Sequence, residues 1–144
     1  MRILIDGDGC PVVDRAISVA HDYRTPCLIF CDTAHRFQRS GAVTITVDKG
    51  ADSADFALVN QIQPGDVVVT QDYGLAAMCL SRGARPIRQD GFLYSDDNIG
   101  ALLTARHVAR KIRNGGGRLK GPPRRSPAED DAFERALRSL LESA

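Results

Sequence analysis

Asp6 and Asp8 stand one glycine apart in the stretch Arg2-Ile3-Leu4-Ile5-Asp6-Gly7-Asp8-Gly9-Cys10-Pro11. Two carboxylates this close repel, at roughly 4 kcal/mol for unit charges about 4 Å apart in an effective dielectric near 20. The repulsion is relieved by a proton on one acid or by a hard divalent cation, which prefers oxygen ligands. The plainer role is an Asx-type turn whose carboxylates cap the next helix. Further acids recur down the chain: Asp52 and Asp55, three apart and so on one face of a helix's first turn; Asp72, with Thr70 two residues before it; and the pair Asp96 and Asp97. Any one of them is accounted for as a helix cap. Jointly, Asp6, Asp8, Asp55 and Asp72 predict an acid-lined pocket for one or two Mg²⁺ or Mn²⁺ ions, which activate water and stabilise charge in phosphodiester cleavage.

The elements that must position these acids follow from the apolar pattern. Ile3, Leu4 and Ile5 form an unbroken apolar run, the mark of a strand buried on both faces. Pro11 sits where a first helical residue belongs, its φ preset and no amide proton lost. A buried strand, a turn and a helix place Asp6 and Asp8 at the carboxyl edge of a sheet, where open α/β sheets bind their ligands. Val12, Val13, Ala16, Ile17 and Ala20 recur at helical spacing, residues 27–31 read as a second buried strand, and the β-branched run 43–47 as a third. A helix opened by Asp52-Ser53-Ala54-Asp55 carries Phe56, Leu58, Val59 and Ile62 and stops before Pro64. Residues 67–69 give a fourth strand, followed by a helix through Leu75, Met78 and Leu80 that closes at Gly83. Residues 84–87 predict a fifth strand and 92–94 a short extended piece.

Ser95-Asp96-Asp97-Asn98 caps a long helix to about residue 113, with Ile99, Leu102, Ala105, Ala109 and Ile112 on one stripe. Residues 115–127 form a Gly/Pro/Arg-rich loop. A last helix over 130–141 turns Phe133, Leu137, Leu140 and Leu141 inward. Strands alternating with helices predict a three-layer α/β/α sandwich around a mostly parallel sheet. One domain spans residues 1–144: an α/β core over 1–95, and over 96–144 the C-terminal helices and basic loop packed on it.

The net charge of +1 over 144 residues names no partner, but its distribution is uneven. Residues 1–97 hold 13 acids against nine Lys and Arg, whereas 98–128 hold eight basic residues and no acid. An acidic body with one basic segment suits a polyanion once metal covers the acids. Arg110, Lys111, Arg113, Arg118 and Lys120 are the candidates to grip a nucleic-acid backbone; a plain solvated face is the alternative. Cys27 and Cys31 fall on one predicted strand, roughly 13 Å apart at about 3.3 Å per residue, too far for a disulfide. Free thiols, no leader segment and no apolar run near the roughly 18 residues of a membrane span predict a cytoplasmic protein without a membrane partner.

The motifs carry a resemblance. Asp6-Gly-Asp8-Gly-Cys10-Pro11-Val12, Gly50-Ala-Asp52-Ser-Ala-Asp55, Pro64-Gly-Asp66, Thr70-Gln-Asp72-Tyr-Gly-Leu-Ala76, Asp96-Asp97-Asn98-Ile99 and Gly121-Pro122-Pro123 resemble the YaiI/YqxD family of bacterial proteins, in family order over nearly the whole chain. The resemblance implies a PIN-like fold whose acidic centre binds Mg²⁺ or Mn²⁺ for nuclease chemistry; the substrate expected here is RNA before DNA. Asp6 matches the acid closing the first strand of PIN-like domains, Asp8 the family's second acid there, and Asp55 the acid on the helix after the third strand. Asp72 matches the acid after the fourth strand and Asp97 the acid before the long helix. Asp96 stands where relatives carry Glu, and Lys120 where they carry glycine; neither change touches the central acids. In this reading Asp6 and Asp72 bind the ion, Asp8, Asp55 and Asp97 complete the site directly or through water, and Asp52, Thr70 and Asn98 lie beside them.

Other readings compete. A nicotinamide site is disfavoured because Val12 replaces the third glycine and the two acids would repel a pyrophosphate; Asp32 would there be the ribose-binding acid. A haloacid-dehalogenase-like phosphatase would use Asp6 as nucleophile and Asp8 as acid/base, but its phosphate-side lysine has only Lys49, Lys111 and Lys120 to draw on. Cys10 and Arg15 enclose four residues where a cysteine-phosphatase loop needs five. His21, His35 and His107 lack metal-ligand spacing. Tyr73 and Tyr94 either stack a nucleobase or wall the pocket. A non-catalytic RNA-binding module remains the alternative class, and self-association is left open.

Overall fold

Two runs without a polar side chain, Ile3-Leu4-Ile5 and Val67-Val68-Val69, pair in the middle of the sheet, because only strands covered on both faces tolerate such runs. The computed structural model describes residues 1–32, 38–48, 53–117 and 124–143. The strands β1 (Ile3–Asp6), β2 (Cys27–Asp32), β3 (Val43–Val47), β4 (Val67–Val69) and β5 (Arg85–Ile87) make one sheet in the order β3-β2-β1-β4-β5. Every strand pairing is parallel, with Ile3 opposite both Cys27 and Val67. The predicted extended piece at 92–94 is present as an isolated antiparallel bridge between Ile87 and Leu93.

Side chains alternate between the faces of the sheet. Ile3, Ile5, Ile29, Val67, Val69 and Ile87 face helices α1 (Val13–Asp22) and α5 (Pro127–Glu142), whose Ala16, Val19, Phe133 and Leu137 complete that core. Leu4, Phe30 and Val68 face α2 (Ser53–Gln61) and α3 (Tyr73–Ser81) through Leu58, Leu75 and Cys79. This is the expected α/β sandwich. α5 begins three residues earlier than the pattern predicts, at Pro127, whose fixed φ suits a first turn.

Three expectations shift. α1 opens at Val13, so Pro11 stands in the turn before it and is not the first helical residue. The long helix α4 (Asp96–Asn114) packs on α3 rather than on the sheet, so none of its described side chains is fully buried, and Ile112 is 41% exposed. Phe56 sits on the solvent side of α2, about 200° around a 3.6-residue helix from Leu58, and is 58% exposed. The amino edge of the sheet is fastened by Asp66. It accepts hydrogen bonds from the Arg2 guanidinium at 2.8 Å, the Arg2 amide at 3.0 Å and the Gln63 amide at 2.9 Å.

Candidate active site

The carboxyl edge is built differently. Asp6 ends β1, and the Gly7 amide prolongs the pairing by donating to the Phe30 carbonyl at 2.8 Å. Gly9 then takes a φ of +73°, a left-handed turn that glycine enters without strain. The turn brings Asp8 back over β2, where its Oδ2 accepts from the Asp32 amide at 3.3 Å. On the other side of β1, the Thr70 hydroxyl joins two acids. It donates to Asp6 Oδ2 at 2.9 Å and accepts from the Asp72 amide at 3.0 Å. Asp72 Oδ1 caps α3 by accepting from the Leu75 amide at 3.1 Å, so this acid is a cap as well as a site residue. Tyr94, buried behind them, donates its hydroxyl to the Thr70 carbonyl at 3.1 Å and so braces that residue.

Asp6, Asp8, Asp32, Asp55 and Asp72 line a single cavity of about 490 Å³. Their charges act on one another. Burial first, then the negative charges of Asp55, Asp72 and Asp8, push the Asp6 carboxyl up to about 6 against the lowering hydrogen bond from Thr70. Among the described residues the cation that lines the cavity is the half-exposed Arg106 of α4, with a guanidinium nitrogen 3.6 Å from Asp72 Oδ1. Gly74 leaves space for it, since a Cβ there would lie 3.4 Å from that nitrogen and 3.3 Å from Asp72 Oδ1. Arg110 and Arg113 follow Arg106 at helical spacing on the same face of α4, and Arg110, Lys111 and Arg113 are all exposed.

Of the residues singled out in the sequence, Asp6, Asp8, Asp55 and Asp72 meet, with Thr70 directly beneath. Asp97 does not line the cavity. It is exposed in the first turn of α4, where an acid favours the positive end of the helix dipole. Asn98 is a cap: its Oδ1 accepts from the Ser95 amide at 2.9 Å and its Nδ2 donates to the Leu93 carbonyl at 3.0 Å. Asp52, His35, Arg36, Arg118 and Lys120 fall outside the described residues, with residues 118–123 of the basic loop. Cys10 is a packed thiol that burial pushes up to about 11, which leaves no thiolate nucleophile near neutrality.

Asp32 and Arg106 line the cavity without being among the residues singled out as its site, as do Ser53 and Gln71. Asp32 is the first acid past a buried strand, the same signal that marks Asp6. Arg106 has no local signal, because the packing of α4 on α3 alone brings it to the cavity. Among the described residues, no three His, Cys, Asp or Glu side chains lie together closely enough to hold an ion between them. No described helix is long and apolar enough to cross a membrane.

A parallel α/β domain with a carboxylate-lined cleft at the strand ends is the class that fold and site define. Within that class, the chain belongs to the family described as "Uncharacterized BCR, YaiI/YqxD family", whose model matches residues 4–143. It is 51% identical over 141 residues to a UPF0178 protein of Exiguobacterium sibiricum, covering 98% of this chain and 96% of the relative. A UPF0178 protein of Ruminiclostridium cellulolyticum is 48% identical over 95% of this chain and 90% of its own. One of Clostridium acetobutylicum is 44% identical over 98% and 97%.

Proposed function

We propose that this protein is a PIN-like phosphodiesterase that uses Mg²⁺ or Mn²⁺ to hydrolyse nucleic acid, RNA before DNA. The observation that carries the reading is the convergence of five carboxylates, from separate strand ends and helix starts, on one cavity. The donor set fits a hard cation, being all carboxylate oxygen, and the Asp6 carboxyl is raised by burial and then by the charges of Asp55, Asp72 and Asp8. Mg²⁺ keeps several waters and is held by one or two carboxylates together with substrate phosphate, a part that Asp6 and Asp72 can supply.

Asp6 and Asp72 would hold the ion, with Asp8, Asp32 and Asp55 around it. Bound there, it supplies an activated water and charge neutralisation at the phosphoryl oxygens. Thr70 fixes the Asp6 carboxylate through its hydroxyl. Arg106 meets the phosphate from the α3 side, a charge-assisted contact suited to a guanidinium. Arg110, Lys111 and Arg113 extend the positive face along α4, so binding weakens as salt rises.

The test is cleavage of end-labelled single-stranded RNA with Mn²⁺ or Mg²⁺ present. Asp6→Asn and Asp72→Asn are each expected to lose more than about 100-fold in rate, beyond the 10–100-fold of a merely supporting residue. Asp97→Asn separates the two ligand sets: the geometry expects a loss under about tenfold, and the family resemblance a loss like that of Asp6. A second reading, an RNA-binding module without turnover, rests on the finding that among the described residues no three acids lie close enough to hold an ion between them. It expects RNA retained by the wild type and no cleavage under any metal.

A further inference from the structure

Beside the acidic cavity lies a second, apolar one of about 250 Å³, and the two share Asp55, Asp72 and Arg106 as walls. Phe56, Leu75 and Met78 supply its apolar surface. Phe56 is 58% and Met78 36% exposed, though both belong to helical runs whose neighbours are core. Large apolar side chains standing singly in water need no explanation. Phe56 and Met78 stand together on one hollow that adjoins the charged site.

The shared walls say what fills it. A ligand lying across both cavities has an anionic group where Arg106 stands among the acids, and a flat apolar group next to it. A nucleotide has that layout, phosphate beside base. A further hollow of about 410 Å³ holds Tyr73 beside Arg88 and Arg125, whose guanidiniums are drawn to Asp90 at 2.8 Å and Asp130 at 2.6 Å, closer than Arg106 is to Asp72 at 3.6 Å.

We propose that the Phe56–Leu75–Met78 hollow is a nucleobase subsite, receiving the base of the nucleotide whose phosphate Arg106 meets in the acidic cavity. This rests on the phosphodiesterase reading and adds to it where the strand lies: across the α2–α3 side, with Phe56 as the stacking face. Stacking on an aromatic ring tolerates any base, so the subsite selects nucleic acid over simple phosphoesters without selecting sequence.

The experiment is fluorescence anisotropy of a labelled single-stranded RNA, and of the same strand with abasic residues, with Ca²⁺ present to screen the acids. Phe56→Ala is expected to weaken the intact strand about tenfold and leave the abasic strand unchanged, while Phe56→Tyr keeps the wild-type affinity. Phe56 is exposed, so an unchanged unfolding temperature shows that the fold persists. Equal binding of the intact strand by wild type and Phe56→Ala overturns the subsite, as does equal weakening of both strands. If metal-dependent cleavage then persists, only the subsite falls; if the wild type neither binds nor cleaves RNA, both readings fall.

Discussion

At the amino edge of the sheet, Asp66 is 1% exposed and takes three hydrogen bonds, two of them from Arg2, whose guanidinium neutralises it. At the carboxyl edge, Asp6 accepts from Thr70 and faces Asp8, Asp55 and Asp72. Both follow from the same sheet: Arg2 and Asp66 precede the adjacent strands β1 and β4, and Asp6 and Thr70 close them. The first carboxylate has its charge answered within the fold. The second receives a hydroxyl and lies against other carboxylates, so its ionisation is disfavoured. An acid kept under such repulsion at a ligand-binding edge points to function, whereas a fully satisfied one points to stability.

The largest effect that would break this comparison is at Asp66. Removing one partner of a buried ion pair leaves the other uncompensated, a loss of about 4 kcal/mol. Urea unfolding of Asp66→Ala should show that loss with no change of the acidic cavity's metal affinity. A loss under about 1 kcal/mol, the worth of a surface pair, would erase the distinction between the edges.

Asp6→Asn should act in the opposite direction. With its carboxyl raised from 3.8 to about 6, the folded protein holds the Asp6 proton more tightly than the unfolded chain does. Below the unfolded value both states are protonated and nothing is lost. Through the window between the two values the cost of ionising Asp6 grows, and above the folded value it is complete, at about 3 kcal/mol. Without metal, Asp6→Asn should therefore be more stable than the wild type near pH 8 by up to about that amount, and equal to it below the unfolded value. Denaturant titrations at the two pH values check it, and a destabilised Asp6→Asn near pH 8 would contradict the repulsion.

What was legible in the sequence was whatever the chain states locally. Apolar runs such as Val67-Val68-Val69 announce buried parallel strands, and an acid directly after such a run, as at Asp6, lands at the ligand edge by topology. What a helix packs against is not local. The stripe on α4 reads as a core face, yet the helix lies outside α3, and for that reason Arg106 reaches the cavity while Asp97 stays in solvent. Phe56 likewise reads as core until the direction of Leu58 and Val59 is known.

Divalent-ion binding at Asp6 is the claim on which the functional account stands, and thermal unfolding with and without Mn²⁺ tests it most directly. At a Mn²⁺ concentration near 100 times its Kd the native state gains about 2.7 kcal/mol, a rise of several degrees for a chain of this size. The account predicts that rise in the wild type and its loss in Asp6→Asn. No rise in the wild type, or the same rise in both proteins, would contradict it.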